Sequence, residues 1–102
     1  MSKRPTVFLW NCPTYDAQAI RALVRTSMEK LSLRPSGRVL CKPNLVSAGP
    51  LFQHAYTRPE VMEGVLLALG DRDEGGVSEM KVGERCGITI PTRYVFEHAG
   101  YD

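Results

Sequence analysis

Residues 38–42, Arg-Val-Leu-Cys-Lys, predict a short β-strand, and Pro43 predicts where that strand ends. The centre of the run is apolar, and a proline removes one donor from the hydrogen-bond ladder of a sheet. Residues 44–56 follow the proline and carry no pattern typical of a helix or a strand. Connections of this length in a compact domain are often functional, so the sequence directs attention to this region.

Helices are predicted on both sides of this strand. Asp16 is the N-cap candidate of a first helix that ends near Leu33, because its apolar residues recur at spacings of three and four. Thr57 and Glu60 have the spacing of a capping box and predict the start of a second helix. A third, shorter helix begins near residue 89 or 91 and stops at Gly100.

Two further strands complete the pattern, one over Thr6–Trp10 and one around Met80–Val82. The run Thr6–Trp10 is apolar at successive positions, which is typical of a strand covered on both faces, and Trp10 is expected in the core. The order βαβαβα predicts an α/β fold of three layers with a short parallel sheet. We expect the strand order 2-1-3, with helices on opposite faces of the sheet.

The composition of the chain limits the classes of protein to which it can belong. The chain has 102 residues, of which 43% are hydrophobic and 24% charged, and its net charge is +2. This is typical of one globular α/β domain over residues 1–102, or of the N-terminal portion of a larger one. The absence of a long apolar run argues against a membrane span, and interspersed charges argue against nucleic-acid binding. The basic N-terminus lacks the apolar core of a signal peptide, so a cytoplasmic location is expected.

Three cysteines, Cys12, Cys41 and Cys86, are widely spaced and form no metal-binding motif. Reduced thiols in or near the core are the simplest interpretation. All three fall near the carboxyl ends of predicted strands. Because side chains alternate along a strand, Cys41 should face away from Lys42, which argues against a shared metal site.

Ligands of parallel sheets bind beyond the carboxyl ends of the strands. Four residues are placed at that edge by the predicted topology: Asn11, Lys42, Asn44 and Glu84. A lysine supplies a positive point charge and an amide supplies both a donor and an acceptor, which suits a small anionic ligand. Glu84 is expected to pair with Lys42 in the empty site or to act as a base.

Each candidate also has a structural interpretation. Lys42 could simply reach solvent from a strand end, Asn44 could bond its own backbone in a turn, and Glu84 could be solvated or pair with Arg85. The sequence contains neither of the standard glycine-rich nucleotide-binding loops. A nucleotide held by such a loop is therefore not expected.

Several segments together resemble the domain-of-unknown-function 362 family. The resemblance rests on four matches and on the early Tyr15-Asp16: Val39–Val46 (VLCKPNLV), Thr57–Val61 (TRPEV), Val82-Gly83-Glu84 with Gly87, and Ala99-Gly100-Tyr101. The resemblance implies a longer parent domain, of which this chain would be the N-terminal part. It also implies an association with iron–sulfur clusters, although this chain lacks the clustered cysteines of such relatives, so its cofactor is unknown.

Three functional interpretations follow from these observations. The chain handles a small anionic ligand or cofactor, or it is a non-catalytic module completed by another chain, or it is a fragment without independent activity. An enzyme role would require residues beyond those present here. Open edges of a short sheet favour self-association or a partner chain.

Overall fold

The computed structural model describes residues 4–49, 54–71, 76–85 and 91–101. These residues form five elements: α1 (Ala17–Leu31), β1 (Gly37–Cys41), α2 (Pro59–Gly70), β2 (Val77–Val82) and α3 (Thr92–Ala99). Helices therefore alternate with strands, and the predicted α/β class is confirmed. Cys86, Gly87 and the predicted helix start at residue 89 lie outside the described residues.

The two strands form a parallel sheet, as predicted. Val39 lies opposite Met80 and Cys41 lies opposite Val82. Partners in register share one face of a sheet, so these four side chains lie on the same face. Leu40 lies on the other face, where it is 67% exposed.

The predicted strand over residues 6–10 and the predicted strand order 2-1-3 are both corrected by the structure. That order would place residues 6–10 between the other two strands, whereas β1 and β2 pair directly. Residues 6–10 contact α1 through their rings instead: Phe8 and Trp10 stack at 5.7 Å, and Trp10 Nε1 donates to Ser27 Oγ at 2.7 Å. Trp10 was expected in the core but is 41% exposed, because only one side of the run is covered.

The predicted placement of the first two helices on opposite faces of the sheet is also corrected, because α1 packs against α2. Gly64 of α2 makes this close approach possible: a Cβ at this position would lie 2.6 Å from Ile20 Cγ2. Near the carboxyl end of α2, Arg21 forms an ion pair with Asp71. The predicted N-cap of α1 is confirmed, because the carboxylate of Asp16 accepts the Gln18 N–H at 3.0 Å.

The start of α2 differs from the predicted capping box. Its N-cap is Arg58, which makes no side-chain capping bond, and Pro59 occupies the first turn. The Thr57 hydroxyl accepts the backbone N–H of Asn44 at 3.1 Å instead. Glu60 Oε2 lies 3.5 Å from Arg58 Nε. A tertiary contact thus replaces the local cap that the spacing suggested.

The segment after Pro43 is part of the core. Leu45 and Ala48 are buried together with Val95 and Ala99 of α3. Leu45 forms an isolated antiparallel bridge with Tyr56, and the Val46 N–H donates to the Ala55 carbonyl at 3.0 Å. The two ends of this segment are therefore held together beside the carboxyl end of β1, and α3 packs onto them.

Candidate functional site

The carboxyl ends of β1 and β2 bring Lys42 and Glu84 together. Lys42 follows β1, Glu84 lies two residues after β2, and Lys42 Nζ is 3.0 Å from Glu84 Oε2. The Gly83 N–H donates to the Cys41 carbonyl at 3.1 Å, which keeps the two chain segments side by side just before this pair. Parallel strands end at the same edge of a sheet, so the pair follows directly from the topology.

Glu84 is the organising group of this edge. Its side chain is only 7% exposed, and its carboxylate accepts from Lys42 and from the Arg85 N–H at 2.8 Å. The hydrogen bond from Lys42 is the main cause that lowers the pKa of Glu84, while burial opposes it. The carboxylate is therefore ionised at neutral pH and ties the two strand ends together.

Lys42 is the accessible member of the pair, because its side chain is 66% exposed. An ammonium group carries three donors, and in the described part of the chain Lys42 directs one of them to Glu84. The neighbouring Arg85 is also exposed. Lys42, Glu84 and Arg85 together carry one net positive charge at this edge.

Asn44 is fixed through its backbone. Its carbonyl accepts the Thr57 N–H at 2.7 Å, and its N–H donates to the Thr57 hydroxyl at 3.1 Å. The residue itself is exposed, and among the described residues its carboxamide makes no hydrogen bond. The backbone of Asn44 is thus held by a residue thirteen positions away, which differs from the turn-forming role considered above.

Asn11, the fourth predicted residue, does not follow a strand in the structure. It is exposed, and its neighbour Trp10 bonds Ser27 in the second half of α1. The N-terminal end of α1 lies nearer the strand ends, because the Tyr15 ring is 4.5 Å from the Arg58 guanidinium. Asn11 therefore belongs to a segment whose observed contacts are with α1 and α2 and not with the strands.

Two residues that contact this edge were not among the predicted site residues. The Tyr101 hydroxyl donates to the Thr57 carbonyl at 2.7 Å, and Thr57 in turn holds Asn44. Thr57 was interpreted as a helix cap and Tyr101 as a closing motif. The sequence offered one indication of their role: both residues belong to the same set of family motifs as Lys42 and Asn44.

Metal-ligating residues do not cluster in the described part of the chain: it holds no group of three or more His, Cys, Asp or Glu that could bind an ion. Cys12 is exposed, and burial raises the pKa of Cys41, which favours its protonated thiol. Cys86 lies outside the described residues. Among the described helices none has both the length and the apolarity needed to cross a bilayer.

Comparison with known proteins gives one match. Residues 39–102 match the family described as "Domain of unknown function (DUF362)". The chain belongs to this family. No curated protein and no solved structure matches it. The DUF362 match begins within β1 and includes Lys42, Asn44, Glu84 and Tyr101, whereas Asn11 and α1 lie outside it.

Proposed function

We propose that Lys42, Asn44 and Glu84 of this DUF362 protein bind a small anionic ligand at the carboxyl edge of the sheet. The observation that supports this most is the asymmetry of the central ion pair. The side chain of Glu84 is buried and held by the backbone N–H of Arg85, whereas the side chain of Lys42 is exposed. Such a pair orients the lysine and leaves its remaining donors toward solvent.

The charge around the pair also favours an anion. Arg85 adds a second cation, so the edge keeps a net positive charge after Glu84 is counted. Thr57, which contacts Asn44, precedes α2 by two residues. The N-terminus of a helix carries a partial positive charge and stabilises nearby anions. A phosphate or carboxylate group at this edge would be attracted by Lys42, by Arg85 and by the N-terminus of α2.

Each residue has a distinct role in this proposal. Lys42 supplies the charge-assisted contact, and the Asn44 carboxamide adds a neutral donor that helps to orient the ligand. Glu84 holds the Lys42 side chain in place. If the ligand draws the ammonium away, the freed carboxylate can accept a proton from the ligand.

Titration of the chain with inorganic phosphate and with malonate, at constant ionic strength, tests the proposal. Amide resonances of Asn44, Leu45 and Arg85 report binding by NMR. Lys42→Ala should weaken binding by about ten- to a hundredfold, since a charge-assisted contact is lost.

Lys81→Ala is the matched control. Lys81 also forms an ion pair with a glutamate, Nζ to Glu79 Oε1 at 3.2 Å, but within β2 and not at its carboxyl edge. The control should bind the anion as tightly as the unaltered chain does. Equal losses in both variants, or no resonance shift with either anion, would refute the proposal.

Self-association is a second candidate function, supported by the N-terminal segment. Val7 is 78% and Leu9 is 94% exposed, while the alternate residues Phe8 and Trp10 contact Lys30 of α1. An extended segment with one free apolar side can pair with the open edge of a sheet in a second copy of the chain. Light scattering across a concentration series should detect a dimer, and Leu9→Lys should abolish it. A monomer at every concentration would reject this candidate.

A further inference from the structure

The end of α3 is joined to Asn44 of the proposed site by hydrogen bonds through Thr57. The Tyr101 hydroxyl donates to the Thr57 carbonyl at 2.7 Å. Thr57 makes two bonds to the backbone of Asn44, at 2.7 and 3.1 Å. The backbone N–H of the next residue, Leu45, helps to lower the pKa of Glu84, and Glu84 in turn holds Lys42.

The fold fixes Tyr101 accurately for this contact. Gly100 adopts a φ of 89°, a left-handed conformation that glycine takes at little cost, and so reverses the chain after α3. The Tyr101 N–H then donates to the Phe96 carbonyl at 2.9 Å, and the two rings pack edge to face at 5.9 Å. Burial raises the pKa of Tyr101, so the hydroxyl keeps its proton at neutral pH.

Glycine and tyrosine at the end of α3 thus hold a donor against the residue that positions Asn44. We propose that Tyr101 is a positioning residue for the anion site, acting through Thr57 to set the orientation of Asn44 and the strand-end loop. This inference rests on the proposed function. It adds that anion affinity depends on a residue that does not itself touch the ligand.

Three variants separate positioning from general stability. Tyr101→Phe removes only the hydroxyl and keeps the ring against Phe96. Thr57→Val removes the acceptor for the Asn44 N–H, whereas Thr57→Ser retains it. Tyr94→Phe is the matched control, because Tyr94 lies on α3 but makes no hydroxyl bond to Thr57.

Inorganic phosphate is the probe, with affinity and the Asn44 amide shift measured by NMR in the full chain. Tyr101→Phe and Thr57→Val should each weaken phosphate binding by about three- to tenfold and move the Asn44 resonance in the free protein. Thr57→Ser and Tyr94→Phe should bind as the unaltered chain does. The double variant Tyr101→Phe with Thr57→Val should lose less affinity than the two single losses combined, because both substitutions act through Thr57 on the position of Asn44.

The failure of this inference differs from the failure of the proposed function. If Lys42→Ala weakens phosphate binding while Tyr101→Phe and Thr57→Val do not, the site stands and the positioning role is wrong. If the unaltered chain does not bind phosphate, both proposals fall. If Tyr101→Phe does not fold, the contrast between Thr57→Val and Thr57→Ser decides, and equal affinities in those two variants overturn the inference.

Discussion

Residues 6–10 and the described residues that follow Pro43 differ in burial in the opposite sense from what their sequences suggest. The first segment is apolar throughout, yet its Val7 and Leu9 are among the most exposed side chains of the described chain. The second has no regular pattern, yet Leu45 is 1% and Ala48 is 2% exposed. Burial stabilises apolar side chains in general, but the topology of the fold decides which of them have neighbours to pack against. The comparison can be tested by perturbing each segment in turn.

The largest expected effect is the difference between two leucines, one in each segment. Leu45→Ala should lower the free energy of unfolding by about 2–5 kcal/mol, because it leaves a cavity beside Val95. Leu9→Ala should change it by no more than about 0.5 kcal/mol, because Leu9 is 94% exposed. Urea denaturation of both variants measures the difference. A comparable loss at Leu9 would show that residues 6–10 are buried, as a central strand would be.

The contrast between the segments shows what local sequence signals can predict. Asp16 was identified correctly as a cap because its partner, the Gln18 N–H, is two residues away. Thr57 was assigned to the wrong contact because its hydroxyl meets Asn44, thirteen residues earlier. Residues 6–10 were assigned to a strand from their own composition, but a strand forms only against a neighbour. Such neighbours are set by the whole fold.

The predicted pairing of Lys42 with Glu84 is confirmed, because that prediction used topology. Lys42 and Glu84 meet because parallel strands share a carboxyl edge, and the positions of both strands were evident from the sequence. Asn11 was added on the same reasoning, from a strand that the structure does not form. The roles of Thr57 and Tyr101 depend on how α3 packs against the rest of the chain. The periodicity of apolar residues in the sequence does not reveal this packing.

A substitution at Gly64 tests how strongly the packing of α1 against α2 contributes to stability, given that residues 6–10 are expected to contribute little. Gly64→Ala would place a methyl group 2.6 Å from Ile20 Cγ2 and 3.0 Å from the Ala17 carbonyl oxygen. Overpacking of this kind costs about 1–3 kcal/mol, which outweighs the gain in helix propensity. Gly70→Ala is the control, because its nearest neighbour is an ordinary contact at 3.8 Å. Equal stability of the two variants in urea would indicate that α1 does not depend on this contact.

Acid should weaken the strand-end edge before it affects residues 6–10, which contain no titratable group. The pKa of Glu84 is lowered in the fold, mainly by Lys42, from an ordinary value of 4.5. A carboxyl group with a lowered pKa stabilises the fold above its unfolded value, and that stability is lost as the pH falls through the folded one. Stability should therefore decline below about pH 4.5.

Glu84→Gln isolates this contribution, with Glu63→Gln, an exposed helix residue, as its control. Urea denaturation between pH 3 and pH 7 should show a shallower decline for Glu84→Gln than for the unaltered chain. The variant should also be less stable at neutral pH, because the bond to Lys42 loses its charge. An unchanged pH dependence in Glu84→Gln would mean that other carboxylates, such as Asp71 with its own lowered pKa, account for the acid sensitivity.

The smallest expected effect compares a cysteine beside the exposed segment with one in the sheet. Cys12 is exposed two residues after Trp10, whereas Cys41 is half-buried at the end of β1. Alkylation requires the thiolate, and burial raises the pKa of Cys41, so both access and ionisation slow its reaction. Iodoacetamide at neutral pH should modify Cys12 several times faster than Cys41, as measured by peptide mass spectrometry.

Adding urea above the unfolding midpoint should remove the difference, since both thiols are then exposed. Faster modification of Cys41 in the folded chain would place it at an open edge and would reverse the comparison between the two regions.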